Sequence, residues 1–179
     1  MDSFRVIALD PGGTTGVAVL QADYADGPRG GELTNIKWTR FQLDQPNHHN
    51  DLFCLLRDNW APYYYIVCES FEYRNDSRAG LELISKEYIG VVQLFAQRTD
   101  MTENLFFQTA SQGACKPNNF VKNANLKNLG ILSASVKHRH AMDATTHLLY
   151  WIINGDSPVV LRPYRLDLLN RGWGSVSNG

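Results

Sequence analysis

Two stretches of this chain are too apolar to leave a face in water, and each is closed by a carboxylate. Phe4 to Leu9 is an almost unbroken apolar run with a single Arg, and Asp10-Pro11-Gly12-Gly13 ends it. Tyr63 to Cys68 is a run of aromatic and branched residues that stops at Glu69. Such runs read as strands covered on both faces, which places the chain in the α/β class. In an open sheet of that class ligands collect where strands end and loop side chains converge. If the two strands pair in parallel, Asp10 and Glu69 share one edge within reach of a common ion. Asp-Pro-Gly-Gly is also a good turn by itself, so Asp10 taken alone reads equally as turn chemistry. Glu69 is harder to explain that way, since a carboxylate closing a buried strand needs a partner or an ion to offset desolvation.

The remaining elements follow from periodicity and punctuation. Val17 to Leu20 resumes strand character after the Gly-rich turn and completes a hairpin. Gln21 to Asn35, rich in Gly, Asp and Pro, reads as an excursion before a third strand from Ile36 to Leu43. In that strand Ile36 and Trp38 are out of phase with Phe41 and Leu43, which a bulge near Thr39 would reconcile. Asn50 is a candidate N-cap for a helix carrying Leu52, Leu55, Leu56 and Trp60, with Pro62 as its end. A longer helix is signalled by Leu81, Ile84, Tyr88, Val91, Val92 and Phe95, capped by Asp76 or Ser77. Its Ile89 lies off the stripe, which fits burial on two sides and equally an ordinary central helix. A short strand from Asn104 to Gln108, helical turns between Asn118 and Asn128, and a strong helix from His140 to Ile153 complete the order. One domain over residues 1–171 is expected, with 172–179 as a frayed tail.

Charge is distributed unevenly. The chain of 179 residues has 17 Lys and Arg against 18 Asp and Glu, a formal net charge of -1. From Asn104 to Met142 there is no acid, while Lys116, Lys122, Lys127, Lys137 and Arg139 are all basic. A basic segment on an acidic body points to a polyanionic partner that the average conceals. Cys54, Cys68 and Cys115 are odd in number and unpaired in spacing, so reduced thiols are expected and a zinc module is not. No run reaches the roughly 20 apolar residues of a membrane span, and the N-terminus has no secretory pattern, so a cytoplasmic location is expected.

The final helix adds the third component of a site. His140 and Asp143 are three residues apart and project from one face, beside a core stripe of Ala141, Ala144, Leu148 and Trp151. His147, a further turn along, could extend that stripe but reads more simply as a histidine hydrogen-bonded in the core or at the surface. His138 and Arg139 read as facing phosphate. Three carboxylates and an imidazole suit Mg²⁺ or Mn²⁺ better than zinc. Two such ions about 4 Å apart can activate water and stabilise the leaving oxygen in phosphodiester hydrolysis.

Ile7-Ala8-Leu9-Asp10-Pro11-Gly12, then Thr15-Gly16-Val17-Ala18, Glu69 at a strand end, Gly90 in the second long helix and His140-Ala141-Met142-Asp143-Ala144 together resemble the RuvC-type Holliday-junction resolvases of the RNase H-like superfamily. The resemblance covers roughly residues 4–154 in order and spacing. It implies an RNase H-like mixed five-stranded sheet flanked by helices. It also implies a homodimeric endonuclease in a bacterial or phage-infected cell, nicking a four-way DNA junction symmetrically and leaving 5′-phosphate ends, with Mg²⁺ or Mn²⁺, two ions per site. Asp10, Glu69 and Asp143 would be carboxylate ligands, with His140 where many members carry Asp; the imidazole removes one negative charge, which leaves the preference between Mg²⁺ and Mn²⁺ open. Phe71, with Tyr73 close behind, would be the aromatic wedge that stacks on an unpaired base at the junction centre. Lys116, Lys122, Lys127, Lys137 and Arg139 would neutralise backbone phosphates, making binding salt-sensitive.

Three other readings use the same residues. The Gly-rich turn after Asp10 also looks like the first phosphate loop of sugar kinases and actin-like ATPases, but those proteins are about twice this length and give Glu69 no role. The pre-16S ribosomal RNA processing nucleases share the fold and an acidic site and are usually shorter. A catalytically silent branched-DNA binding protein would keep the acids as structural caps only.

Overall fold

The computed structural model describes residues 2–26, 31–44, 48–70, 79–109, 117–131, 139–154 and 157–174. Strands β1 (Asp2–Asp10), β2 (Thr14–Ala25) and β3 (Glu32–Asp44) are followed by helix α1 (His48–Asp58), strand β4 (Tyr63–Ser70), helix α2 (Ala79–Arg98) and strand β5 (Leu105–Thr109). Short helices α3 (Pro117–Phe120) and α4 (Asn123–Asn128) precede the long α5 (Arg139–Asn154) and α6 (Arg162–Trp173). The five strands form one mixed sheet in the order β3-β2-β1-β4-β5. β1 is antiparallel to β2 and parallel to β4, and β5 is parallel to β4.

The continuous apolar character of β1 is explained by its central position, with a core on each face. Phe4, Val6 and Ala8 pack with Ala18, Leu20 and Val67 under Leu148, Trp151 and Ile152 of α5. The alternate residues Ile7 and Leu9 pack with Val17, Ile66 and Cys68 under Leu52 and Leu56 of α1 and Tyr88, Val92 and Phe95 of α2. The structure is therefore three layers, with the sheet between an α1/α2 layer and a layer built around α5.

Several local expectations are corrected. Ile36 and Trp38 join the α5-side core while Phe41 and Leu43 join the α1/α2-side core, so their phase difference reflects two covered faces and not a bulge near Thr39. The irregularity lies earlier in β3: the pairing jumps from Gln21↔Lys37 to Asp23↔Thr34, and Asn35 there adopts φ 52°. The segment from Gln21 is not wholly an excursion, because β2 runs on to Ala25 and β3 starts at Glu32. Helix α1 begins at His48, leaving Asn50 inside it as an acceptor for the Cys54 thiol at 3.9 Å instead of its cap. It ends at Asp58, before Pro62. At the C-terminal side α6 continues to Trp173, and Gly172 is buried against Leu129. The Gly172 carbonyl accepts from the side chains of Asn125 and Asn128, so two Asn of the polar α4 region act as ties to α6. Asp76 and Ser77 lie outside the described residues.

Candidate metal centre

Strand register builds the site. Glu69 pairs with Gln108, Asp10 with Gly16, and Gly16 with Gln42, and the β1/β4 pairing runs through Leu9↔Cys68 immediately before Asp10 and Glu69. Side chains alternate along a strand. Ala8, Ala18, Val67 and Phe106 face α5, so the residues two further along or two back, Asp10, Gly16, Glu69 and Gln108, face it too. They form a transverse row at the carboxyl end of β1 and β4, just past the apolar part of the sheet. Cys68, one residue out of step, points to the opposite core, where burial pushes its thiol up; among the described residues no thiolate joins the row.

Helix α5 crosses above that row, and a glycine sets how close it comes. A Cβ on Gly16 would collide with the carbonyl of His140 and come within 2.8 Å of the Ala141 nitrogen. The amide of His140 donates to the Gln42 side-chain oxygen at 3.1 Å, which satisfies one of the otherwise unpaired N–H groups of the first helical turn. Gly16 thus serves backbone packing against α5. This is a different use of the glycine from the phosphate approach of a kinase-like loop.

The result is a cluster. Asp10, His140 and Asp143 each offer a ligand atom, and these atoms lie within 4.8 Å of one another. His140 Nδ1 is 2.8 Å from Asp10 Oδ2, and the Asp10 side chain is only 14% exposed. Glu69 is not one of that trio, but its carboxyl is hydrogen-bonded to Asp10. Burial, and then the Glu69 carboxylate beside it, push Asp10 up to about 9. Asp143 is also raised by burial, against the pull of Arg139, whose Nε lies 4.0 Å from Asp143 Oδ2. Carboxylates held together under desolvation are disfavoured as anions unless a cation offsets them. Hard oxygen donors with one imidazole fit Mg²⁺ or Mn²⁺.

The structure brings together Asp10, Glu69, His140 and Asp143, with Arg139 at the rim, its side chain 91% exposed. Lys122 and Lys127 are exposed on and beside α4, Lys122 contacting the Asn119 side chain at 3.5 Å. Phe71, Tyr73, Lys116, Lys137 and His138 lie outside the described residues. Sequence reasoning set aside His147 and did not single out Gln42 or Gln108. His147 is indeed a buried, hydrogen-bonded histidine, but its partner is Glu69.

A mixed sheet in this strand order with helices on both faces is an RNase H-like α/β fold. Within it the chain is similar to two solved structures of RuvC from Thermus thermophilus, one in complex with a Holliday junction substrate. Identity is 18% and 16%, the matches cover 82% of this chain and 92% of each of those chains, and the TM-scores are 0.50 and 0.51. The fold is RuvC-like, as the sequence motifs implied. No protein-family model and no curated protein sequence matches the chain.

Proposed function

We propose that this protein is a metal-dependent, structure-selective endonuclease that resolves four-way DNA junctions, and other branched DNA, by paired symmetric nicks leaving 5′-phosphates. The observation that carries the reading is the convergence of Asp10, His140 and Asp143, with Glu69 against Asp10, at the strand ends of a RuvC-like fold. The Thermus RuvC it resembles has been captured on a Holliday junction. Asp10, Asp143, His140 and Glu69 would hold Mg²⁺ or Mn²⁺, two ions per site. When bound, the cations supply Lewis-acid stabilisation to the scissile phosphate. Arg139, solvent-facing beside Asp143, would meet a backbone phosphate, and the positive charges of Lys116, Lys122, Lys127 and Lys137 would add to backbone neutralisation. Phe71 or Tyr73 would stack at the junction centre. One nuclease domain acting as a homodimer fits two nicks of matching polarity. Among the described residues no helix is long and apolar enough to cross a membrane.

The test is cutting of a synthetic four-way junction in Mg²⁺ and in Mn²⁺. Asp10→Asn and Glu69→Gln are expected to abolish cutting while leaving junction binding within a few-fold of wild type. Preference for structured RNA over the junction, measured side by side, would overturn the assignment. So would a wild-type protein that binds junctions and cuts in neither metal.

A further inference from the structure

Helix α5 carries a second histidine facing the row of polar residues. His147 is one turn beyond Asp143, and its side chain is 1% exposed. Both ring nitrogens are engaged: Nε2 lies 3.0 Å from Glu69 Oε2, and Nδ1 lies 2.8 Å from Gln108 Oε1. Glu69 and Gln108 are register partners on β4 and β5, so the imidazole spans two adjacent strands from above. An amide can turn either its oxygen or its nitrogen to the ring, so Gln108 can brace it as acceptor or donor.

This arrangement opposes a specific difficulty. Glu69 has a flexible side chain at the end of its strand, and its neighbour Asp10 is another carboxyl group. Two hydrogen-bonded neighbours, Asp10 and His147, orient the Glu69 carboxyl group, and a Glu69 swung away from Asp10 would leave only the Asp10, His140 and Asp143 trio. Burying an imidazole is costly unless it is hydrogen-bonded, and an aliphatic residue would fill the same core volume without that requirement. Hydrogen bonds to a ligating carboxylate fix its orientation, and their removal costs 10–100-fold in metal affinity or activity.

We infer that His147, braced by Gln108, is a positioning residue that holds the Glu69 carboxylate against Asp10 for divalent cation binding; the inference rests on the metal-dependent reading above. The probe is Mn²⁺ alone, titrated calorimetrically into the full chain, with folding checked by circular dichroism. His147→Phe keeps an aromatic ring in the core and removes both hydrogen bonds, and it is expected to weaken Mn²⁺ binding 10–100-fold. His147→Gln, whose amide can still donate to a carboxylate, recovers part of that loss. In a Glu69→Gln background, His147→Phe causes no further weakening, because the group it orients is already gone. Unchanged Mn²⁺ affinity in His147→Phe, or an equal loss in both backgrounds, overturns the inference. Should His147→Phe fail to fold, Gln108→Leu takes its place: a smaller weakening in the same direction supports the brace, and unchanged affinity overturns it. Wild type that binds Mn²⁺ yet never cuts DNA would sink the nuclease reading while leaving this comparison intact; wild type that binds no Mn²⁺ overturns both.

Discussion

Asp10 shows how the candidate site trades against stability. Its ordinary value of 3.8 is pushed to about 9, first by burial and then by Glu69. Between those two values the folded, metal-free chain keeps a proton that the unfolded chain releases, so this group's contribution to stability falls as pH rises through that window. Asp10→Asn removes the slope. Without metal at pH 8, the variant is expected to melt several degrees above wild type, at about 2–4 °C per kcal/mol for a chain this long. At pH 4 the two should converge, and Mn²⁺ should raise the wild-type midpoint alone. Thermal unfolding in a chelator and in Mn²⁺ across that range checks this, and a wild type more stable than the variant at pH 8 would refute it. The four polar residues at the centre were legible because each interrupts or joins an apolar pattern: Asp10 and Glu69 stop strands, and His140 and Asp143 share a helix face. The role of His147 was not. Its spacing on α5 was visible, but Glu69 and Gln108 lie 78 and 39 residues away in the chain, and only strand register brings them to it.

At the scale of elements, the site depends on where α5 begins relative to the sheet. Gly16 is fully inside the hairpin and pairs with Asp10, and the backbone of His140 rests on it. Gly16→Ala would force the start of α5 away from β2, since the obstructing atoms are backbone and cannot rotate aside. Overpacking of this kind costs about 1–3 kcal/mol. The function should suffer more than the fold, because His140 and Asp143 ride on the displaced turn while Asp10 stays on β1. We expect Mn²⁺-dependent junction cutting to drop more than tenfold in a protein that still melts cooperatively; a variant cutting at the wild-type rate would show that α5 is not held at this distance. The glycine was visible in the sequence, but its purpose was not, since the clash is with a residue over 120 positions away. Strand and helix order was readable for similar reasons of pattern strength. The outer ends of β2 and β3 and the whole of α6 were not, because the edge hairpin is largely polar and α6 buries only Leu168 and Gly172.

The whole molecule presents one such cluster among the described residues, yet a four-way junction offers two equivalent strands to cut. The proposed paired nicks would therefore call for two copies related by a two-fold axis, and such an interface uses the same patch on each. Helix α2 supplies a candidate patch. Tyr88, Val92, Phe95 and Ala96 face the core, while Leu83 and Leu94 remain 61% and 46% exposed. Leu83, Gly90 and Leu94 follow one line along the helix, and a Cβ on Gly90 would meet nothing within 4 Å among the described residues. A helix with that outer line can pack closely against its own copy. The 20.2 kDa chain is expected to sediment at roughly twice that mass. Leu83→Lys combined with Leu94→Lys should return it to single-copy mass with its melting temperature nearly unchanged, since exposed substitutions usually shift stability by no more than about 0.5 kcal/mol. On a supercoiled plasmid carrying an extruded cruciform, the wild type is expected to give linear product by paired nicks. The double variant should accumulate nicked circles instead, because each copy cuts without its mate. Linear product from a double variant at single-copy mass would mean that one chain makes both cuts, and the two-fold arrangement would have to be abandoned.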